Sequence, residues 1–250
     1  NKDQMKSCGP GVERIEEEVQ RLFPEAKSIT LSSDTMKNQN LLTNAIEQIK
    51  NSEVDIIIGT QMVAKGHDFP KLKLVGIIDG DIGLSGGDLR ASERSFQLLQ
   101  QVAGRAGRTD ARGKVIIQTY NPHHTILQQV SINDYESMFV EQLEDRRIYK
   151  YPPYCRIIKL TVKHKDYNKV NDGAEWLAVS LRHVFKENVL GPEFPVVSRI
   201  RNQYHKNILL KIPQSQSLLK TKSVLQKIKM SFLSTRDYRA VRLLINVDNN

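Results

Sequence analysis

Cysteines and long apolar runs are scarce in this sequence, and each shortage excludes a class of protein. Cys8 and Cys155 are the only two cysteines among 250 residues, too few for a disulfide framework and without a C-x-x-C pair for zinc. No apolar run approaches the roughly 20 residues that cross a bilayer, and the first residues do not resemble a signal peptide. We therefore expect a cytoplasmic protein with no metal site in this chain.

Two motifs that hold nucleotide phosphates are also absent. The sequence contains neither a G-x-x-x-x-G-K-[ST] phosphate loop nor a D-E-x-[HD] acidic box. Without them, the β- and γ-phosphates of a nucleotide and its Mg²⁺ have no holder. These residues alone are therefore expected not to hydrolyse ATP.

Positive charge is concentrated in the second part of the sequence. Residues 151–250 contain 18 Lys and Arg against 7 Asp and Glu, whereas residues 1–150 contain 19 against 21. The basic residues alternate with predicted strands and helices, which indicates a folded surface and not a basic tail. Such a surface favours a polyanionic partner, most commonly nucleic acid. The alternative is a basic face that serves only solubility.

The first 150 residues alternate amphipathic segments with short β-branched runs. Apolar spacing predicts helices over 12–23, 38–50 and 91–104, and strands over 27–33, 54–58, 72–78 and 114–120. Short apolar runs bounded by glycine or charge are typical of strands buried on both faces of a parallel sheet. This order predicts an α/β domain with a mostly parallel sheet.

A domain boundary is predicted near Tyr151-Pro152-Pro153-Tyr154, because two prolines cannot continue a helix. We therefore divide the chain into domains 1–149 and 150–250. The second domain has predicted strands over 156–163, 196–201, 207–212 and 241–247, with helices over 169–186 and 217–232. The order βαββαβ predicts a smaller, ferredoxin-like α+β domain.

The run Gln101-Val102-Ala103-Gly104-Arg105-Ala106-Gly107-Arg108 is the most informative motif. Arginine carries a permanent charge on a planar fork of donors, which suits a transferring phosphoryl group. The glycines allow the backbone to approach a ligand closely. The run resembles motif VI of superfamily 2 helicases, in which such arginines complete an ATP site.

A second candidate site is the segment from Gly59 to Phe69, which follows the predicted strand 54–58. Loops at the carboxyl ends of parallel strands commonly contact ligands. Thr60 offers a hydroxyl and a backbone donor to a phosphate, Lys65 offers charge, and Asp68 suits a ribose hydroxyl or an arginine. A polar loop with Asp68 as a turn residue is the alternative.

Three segments, 59–69, 88–94 and 97–108, together resemble the PriA family of replication-restart DNA helicases, which belongs to superfamily 2. The likeness extends to 9–13, 151–153, 190–192 and 246–248. It implies a RecA-like second helicase lobe followed by a C-terminal DNA-binding domain. The sequence departs from the family at Gly87, where a proline is expected, and after Asp248. The family's first lobe and its cysteine-rich zinc segment have no counterpart here.

The resemblance implies a role for each matching residue. Arg108 would be the arginine finger, Arg105 a second contact to the ATP phosphates, and Gln101 a sensor of phosphate or the attacking water. The remaining ATP-site candidates are Gly104, Asp68 and Gly66. The DNA candidates in the lobe are Gly59, Thr60, Gln61 and Lys65. The candidates in the C-terminal domain are Arg199, Arg201, Tyr204, His205 and Lys206, because basic residues beside an aromatic suit phosphate neutralisation combined with base stacking.

The function implied by the resemblance is ATP-dependent unwinding of DNA, 3′ to 5′, at stalled forks, with primosome assembly to restart replication. It requires ATP with Mg²⁺, whose ligands would lie in the first lobe, and zinc in the cysteine-rich segment. Expected partners are forked and single-stranded DNA, single-strand binding protein and primosome proteins. Two alternatives remain open: another superfamily 2 fork-remodelling helicase, and a non-catalytic nucleic-acid-binding module on a relic lobe.

Overall fold

The computed structural model describes residues 11–32, 37–60, 69, 71–84, 88–107 and 113–247. Its α-helices are α1 (Val12–Leu22), α2 (Gln39–Lys50), α3 (Ala91–Ala103), α4 (Thr125–Ser131), α5 (Tyr135–Ile148), α6 (Tyr167–Phe185) and α7 (Leu218–Ser234). Its strands are β1 (Ser28–Leu31), β2 (Ile56–Gly59), β3 (Leu74–Ile77), β4 (Lys114–Ile117), β5 (Cys155–His164), β6 (Val189–Glu193), β7 (Arg199–Ile200), β8 (Gln203–Pro213) and β9 (Arg242–Val247). In these described ranges, no helix is both long and apolar enough to cross a membrane.

Contacts divide the chain into two compact units, Asn1–Phe139 and Val140–Asn250. The division falls inside α5, ten residues before the boundary that the prolines predict. We refer to these as the N-terminal and the C-terminal unit.

The N-terminal unit is built on parallel strand pairs. β1 pairs with β2 from Ser28 opposite Ile56, and β3 pairs with β4 from Leu74 opposite Lys114. A helix lies between the two strands of each pair along the chain, α2 in the first pair and α3 in the second. Parallel strands require such a crossover, because a tight turn cannot join them. The predicted α/β class is confirmed.

The helices α3, α4 and α5 supply the buried side chains of one core cluster in the N-terminal unit. The buried side chains of this core are Phe96, Leu99, Ile126, Leu127, Val130 and Met138. Gln100 Nε2 also donates to the Val130 carbonyl at 2.9 Å, which joins α3 to α4. One side of α3 is therefore fixed against its neighbours, while Gln97 and Gln101 stay exposed.

The C-terminal unit has the predicted ferredoxin-like topology. Its antiparallel sheet has the strand order β6-β8-β5-β9, and the short β7 pairs with β8 outside this path. Alternate side chains of β5 and β8 are buried with apolar residues of α6 and α7. These strand residues are Ile158, Leu160, Val162, Ile208, Leu210 and Ile212. Both helices therefore cover the same face of the sheet.

The second strand of this sheet differs from the prediction. The edge strand is β6, whereas the predicted strand over 196–201 forms only the two-residue β7. The sequence did not predict β6, because it contains Gly191 and Pro192. Both residues weaken a regular strand, and Pro is tolerated mainly at sheet edges. Gly191 has φ +89°, and a Cβ there would lie 2.8 Å from the Asn207 carbonyl oxygen. Close approach to β8 therefore requires glycine.

Candidate nucleotide and DNA sites

The end of α3 forms a tight turn that carries Arg105. The N–H of Gly104 donates to Gln100 O at 2.9 Å, and the N–H of Arg105 donates to Val102 O at 3.1 Å. The second bond spans three residues, so the last turn is narrower than an α-helix. Gln101 and Gly104 are exposed and Arg105 is half-buried. Three predicted ATP-site residues therefore lie within one turn of backbone.

Two backbone contacts hold this turn in place. The N–H of Gly107 donates to the Leu72 carbonyl at 2.9 Å, just before β3. On the other side lies Gly113, just before β4, where a Cβ would stand 2.3 Å from the carbonyl carbon of Ala106. Only glycine permits this approach. The turn is thus held between the entrances of two parallel strands. Arg108 lies outside the described residues.

The exposed side of α3 borders a groove of about 980 Å³. Gln101 lines it together with Arg94 and Asp88. The Asp88 carboxylate accepts from the Arg94 guanidinium and from the N–H of Arg90 at 2.9 Å. The segment 88–94, which carried part of the family resemblance, therefore forms a local ion-pair network at the start of α3.

The loop candidates are only partly described. Gly59 ends β2 opposite Leu31 of β1, and Thr60 follows it; both are exposed. They lie at the carboxyl end of the parallel pair, where the prediction put a ligand-contacting loop. Gln61, Lys65, Gly66 and Asp68 lie outside the described residues.

Asp81 joins the ends of β3 and β4. Its carboxylate accepts from Thr119 Oγ1 at 2.7 Å and from the N–H of Tyr120 at 2.8 Å. The N–H of Tyr120, then the Thr119 hydroxyl, hold the pKa of Asp81 below its ordinary value. Asp79 accepts the N–H of Asp81 at 3.0 Å. Both carboxylates thus organise the strand ends. Within the described part of the chain, no cluster of three or more His, Cys, Asp or Glu could hold a metal ion.

Lys206 differs from its prediction as a DNA contact. Its side chain is 7% exposed, and its Nζ lies 2.6 Å from Asn171 Oδ1 and 3.1 Å from Glu175 Oε1. The ammonium also lies 5.1 Å from the ring centre of Phe194. The residue alternates with the buried Ile208 and therefore points to the helix-covered face. The Lys206 ammonium therefore interacts with groups of the protein itself, on the side of the sheet that the helices cover.

Three further C-terminal candidates, Arg199, Arg201 and Tyr204, lie near the β7–β8 hairpin. The Arg199 guanidinium stands 5.0 Å above the ring of Tyr204, and that ring meets Tyr167 edge-on at 5.5 Å. The Tyr204 ring therefore already contacts two side chains of the protein, Arg199 and Tyr167. Arg201 is exposed in the turn, with φ +49°.

A basic surface lies on the opposite side of the sheet, and of the predicted DNA contacts it contains His205. The side chains that alternate with the buried ones point away from α6 and α7, and we call this side the open face. Its principal members are Lys159, Thr161, Lys163, His205, Asn207, Arg242 and Leu244. The sequence signal is the spacing of Lys159 and Lys163, which are four residues apart in one strand. It could be used only once the side of the sheet to which each strand position points was known.

Both units match domains of known proteins. Residues 5–110 match the helicase conserved C-terminal domain, and residues 147–250 match the primosomal protein N C-terminal domain. The chain is 42% identical to the replication restart protein PriA of Rickettsia felis over 203 residues, covering 81% of this chain and 31% of that protein. With the Bacillus subtilis protein of the same name, identity is 34% over 254 residues, covering 99% and 30%.

The replication restart protein PriA of Treponema pallidum is 38% identical over 234 residues, covering 93% of this chain and 34% of that protein. The chain therefore spans about a third of the length of these curated relatives. The two domain matches occur in the order that the family resemblance predicted, a helicase lobe and then the C-terminal domain. On these matches, the chain belongs to the PriA family of replication restart proteins.

Proposed function

We propose that these residues act within an ATP-dependent DNA helicase that moves 3′ to 5′, recognises stalled forks and restarts replication. The observation that carries the proposal is the turn after α3. It holds Arg105 by its backbone between two strand entrances and leaves Gln101 exposed one helical turn earlier. A nucleotide site needs charge and a polar amide in such a fixed arrangement.

In this proposal Arg105 and Arg108 contact the ATP phosphates, with Arg108 as the arginine finger. A guanidinium neutralises charge that develops on the transferring phosphoryl group, and such a finger contributes about 10³-fold or more to the rate. The Gln101 carboxamide orients the attacking water or senses the γ-phosphate. Gly104, Gly66 and Asp68 complete the contacts from this chain. The ligands of Mg²⁺ are assigned to a lobe outside these residues, as is the zinc segment.

DNA contacts are proposed in both units. Gly59, Thr60, Gln61 and Lys65 follow β2, and a backbone contact there would couple the DNA strand to the nucleotide. The exposed Arg199 and Arg201 extend the basic C-terminal unit, whose charge supports binding to a polyanion. Single-strand binding protein and primosome proteins are the proposed protein partners.

The test is DNA-stimulated ATP hydrolysis by the full-length protein. Arg108→Ala and Arg105→Ala should each lower the turnover number by about 100-fold or more while DNA binding is kept. The control is Arg21→Ala on α1, where the arginine is 69% exposed and pairs with Glu18; its turnover should be unchanged. Turnover that survives both substitutions, or is absent from the wild type, would instead support a non-catalytic binding module.

A further inference from the structure

The open face of the C-terminal sheet carries a row of three basic side chains. Lys163 of β5 stands directly opposite His205 of β8 on one side and Arg242 of β9 on the other. Lys163 and Arg242 carry like charges, and like charges in directly opposed positions destabilise a sheet. An anion bound against this pair would remove the repulsion.

A groove continues from this row along the sheet. It has a volume of about 420 Å³ and is lined by Lys159, Lys163 and His205 among others. The two lysines are four residues apart in one strand, which separates their backbones by about 13 Å. None of the described residues that line the groove is acidic. Glu193 stands opposite Asn207 on the edge strand but does not line the groove.

An apolar wall borders the charged groups. Val196, Val197 and Ile200 line the groove and are 104%, 60% and 45% exposed. At the centre of the sheet, Thr161 Oγ1 donates to Asn207 Oδ1 at 2.9 Å, which orients a carboxamide whose NH₂ can donate to a base. A DNA duplex presents phosphates outward and hides the faces of its bases. Exposed apolar side chains beside lysines therefore suit a single strand, whose bases are unstacked.

We propose that the open face binds single-stranded DNA, with Lys159, Lys163 and Arg242 on the phosphates and the apolar wall against the bases. This inference deepens the proposed function, on which its choice of DNA as the polyanion rests. By analogy, the four-stranded sheet of RNA recognition motifs binds bases on the face opposite its helices. Here aliphatic side chains and His205 take the place of the stacking aromatics.

The test measures binding of a fluorescent oligothymidylate to the 250-residue chain by anisotropy at several salt concentrations. The variant Lys163→Gln/Arg242→Gln removes two charges from the open face. The matched control, Lys222→Gln/Lys229→Gln, removes two charges from exposed positions of α7, on the helix-covered side. The first variant should weaken binding at least about tenfold, and its salt slope should fall by about 1.4, which corresponds to two single-strand phosphate contacts. The control should change affinity less than about twofold.

Two measurements keep the result unambiguous. The first variant relieves like-charge repulsion, so its melting temperature should be unchanged or higher, and a loss of affinity cannot be ascribed to unfolding. Polyglutamate serves as the competing anion. Equal weakening by both variants, or displacement of oligothymidylate by polyglutamate at equal charge concentration, would overturn the proposal. The assay uses no ATP, so its outcome is independent of the turnover of the arginine variants.

Discussion

Gly107 donates its backbone N–H to the carbonyl of Leu72 across 2.9 Å, although 35 positions separate them in the chain. This bond attaches the arginine turn to the start of β3. On the other side of the turn, Gly113 leaves no space for a side chain beside Ala106. The position of Arg105 therefore depends on Leu72, Gly107 and Gly113, none of which has a reactive or charged side chain.

The first prediction concerns that packing. Gly113→Ala would put a Cβ 2.3 Å from Ala106 and must shift the turn. We expect the free energy of unfolding to fall by about 1–3 kcal/mol and DNA-stimulated ATPase in the full-length protein to fall by about 10- to 100-fold. Gly76→Ala in β3 is the matched control, because its Cβ would meet nothing within 4 Å. Equal activity in the two variants would show that the turn does not need this fixed position.

The second prediction separates Lys206 from DNA binding. Lys206→Ala removes the partner of Asn171 and Glu175 in a nearly buried site, so we expect a loss of about 1–3 kcal/mol in the free energy of unfolding. Affinity for oligothymidylate should stay within about twofold of wild type for the folded molecules. Urea unfolding and anisotropy measure the two quantities. The control Lys222→Ala, at an exposed position of α7, should alter stability by less than about 0.5 kcal/mol. A large drop in affinity for oligothymidylate with an unchanged free energy of unfolding would show that Lys206 contacts DNA.

Apolar periodicity was sufficient for much of the fold. It predicted α1, α2 and α3 and the parallel strands to within a few residues, because their apolar residues recur at helical spacing or form short unbroken runs. It did not identify α4, which has only seven residues, or α5. The apolar residues of α5 are spread around the helix, and Val140 and Ile148 are more than half exposed. A single sequence gives no periodic signal for such a helix.

The candidate site was also only partly predictable from the sequence. The run from Gln101 to Arg108 could be identified from its own spacing. Its supports could not, because Leu72 is distant in sequence and neither Leu72 nor Gly113 belongs to a motif. In β8, His205 and Lys206 are adjacent in sequence and point to opposite faces of the sheet. The alternation of Lys206 with Ile208, Leu210 and Ile212 held the signal for its burial. The choice of basic residues beside an aromatic overlooked that parity.

The last prediction follows from His205. Burial lowers the pKa of its imidazole below the ordinary 6.5, and the charge of Lys163 lowers it further. The unfolded chain therefore takes up a proton at higher pH than the folded chain. The free energy of unfolding should fall as the pH drops below about 6.5, and level off once the folded imidazole is also protonated.

Thermal unfolding of the wild type and His205→Gln between pH 8 and pH 5 measures this contribution as the difference between two curves. The glutamine variant should lose less stability on acidification, because it has no group to protonate at this position. Lys163→Gln removes only the weaker of the two causes, so its pH dependence should lie between the other two. Parallel curves for all three proteins would mean that His205 has the same proton affinity in the folded and the unfolded chain, and that the groove is open enough to hydrate the imidazolium fully.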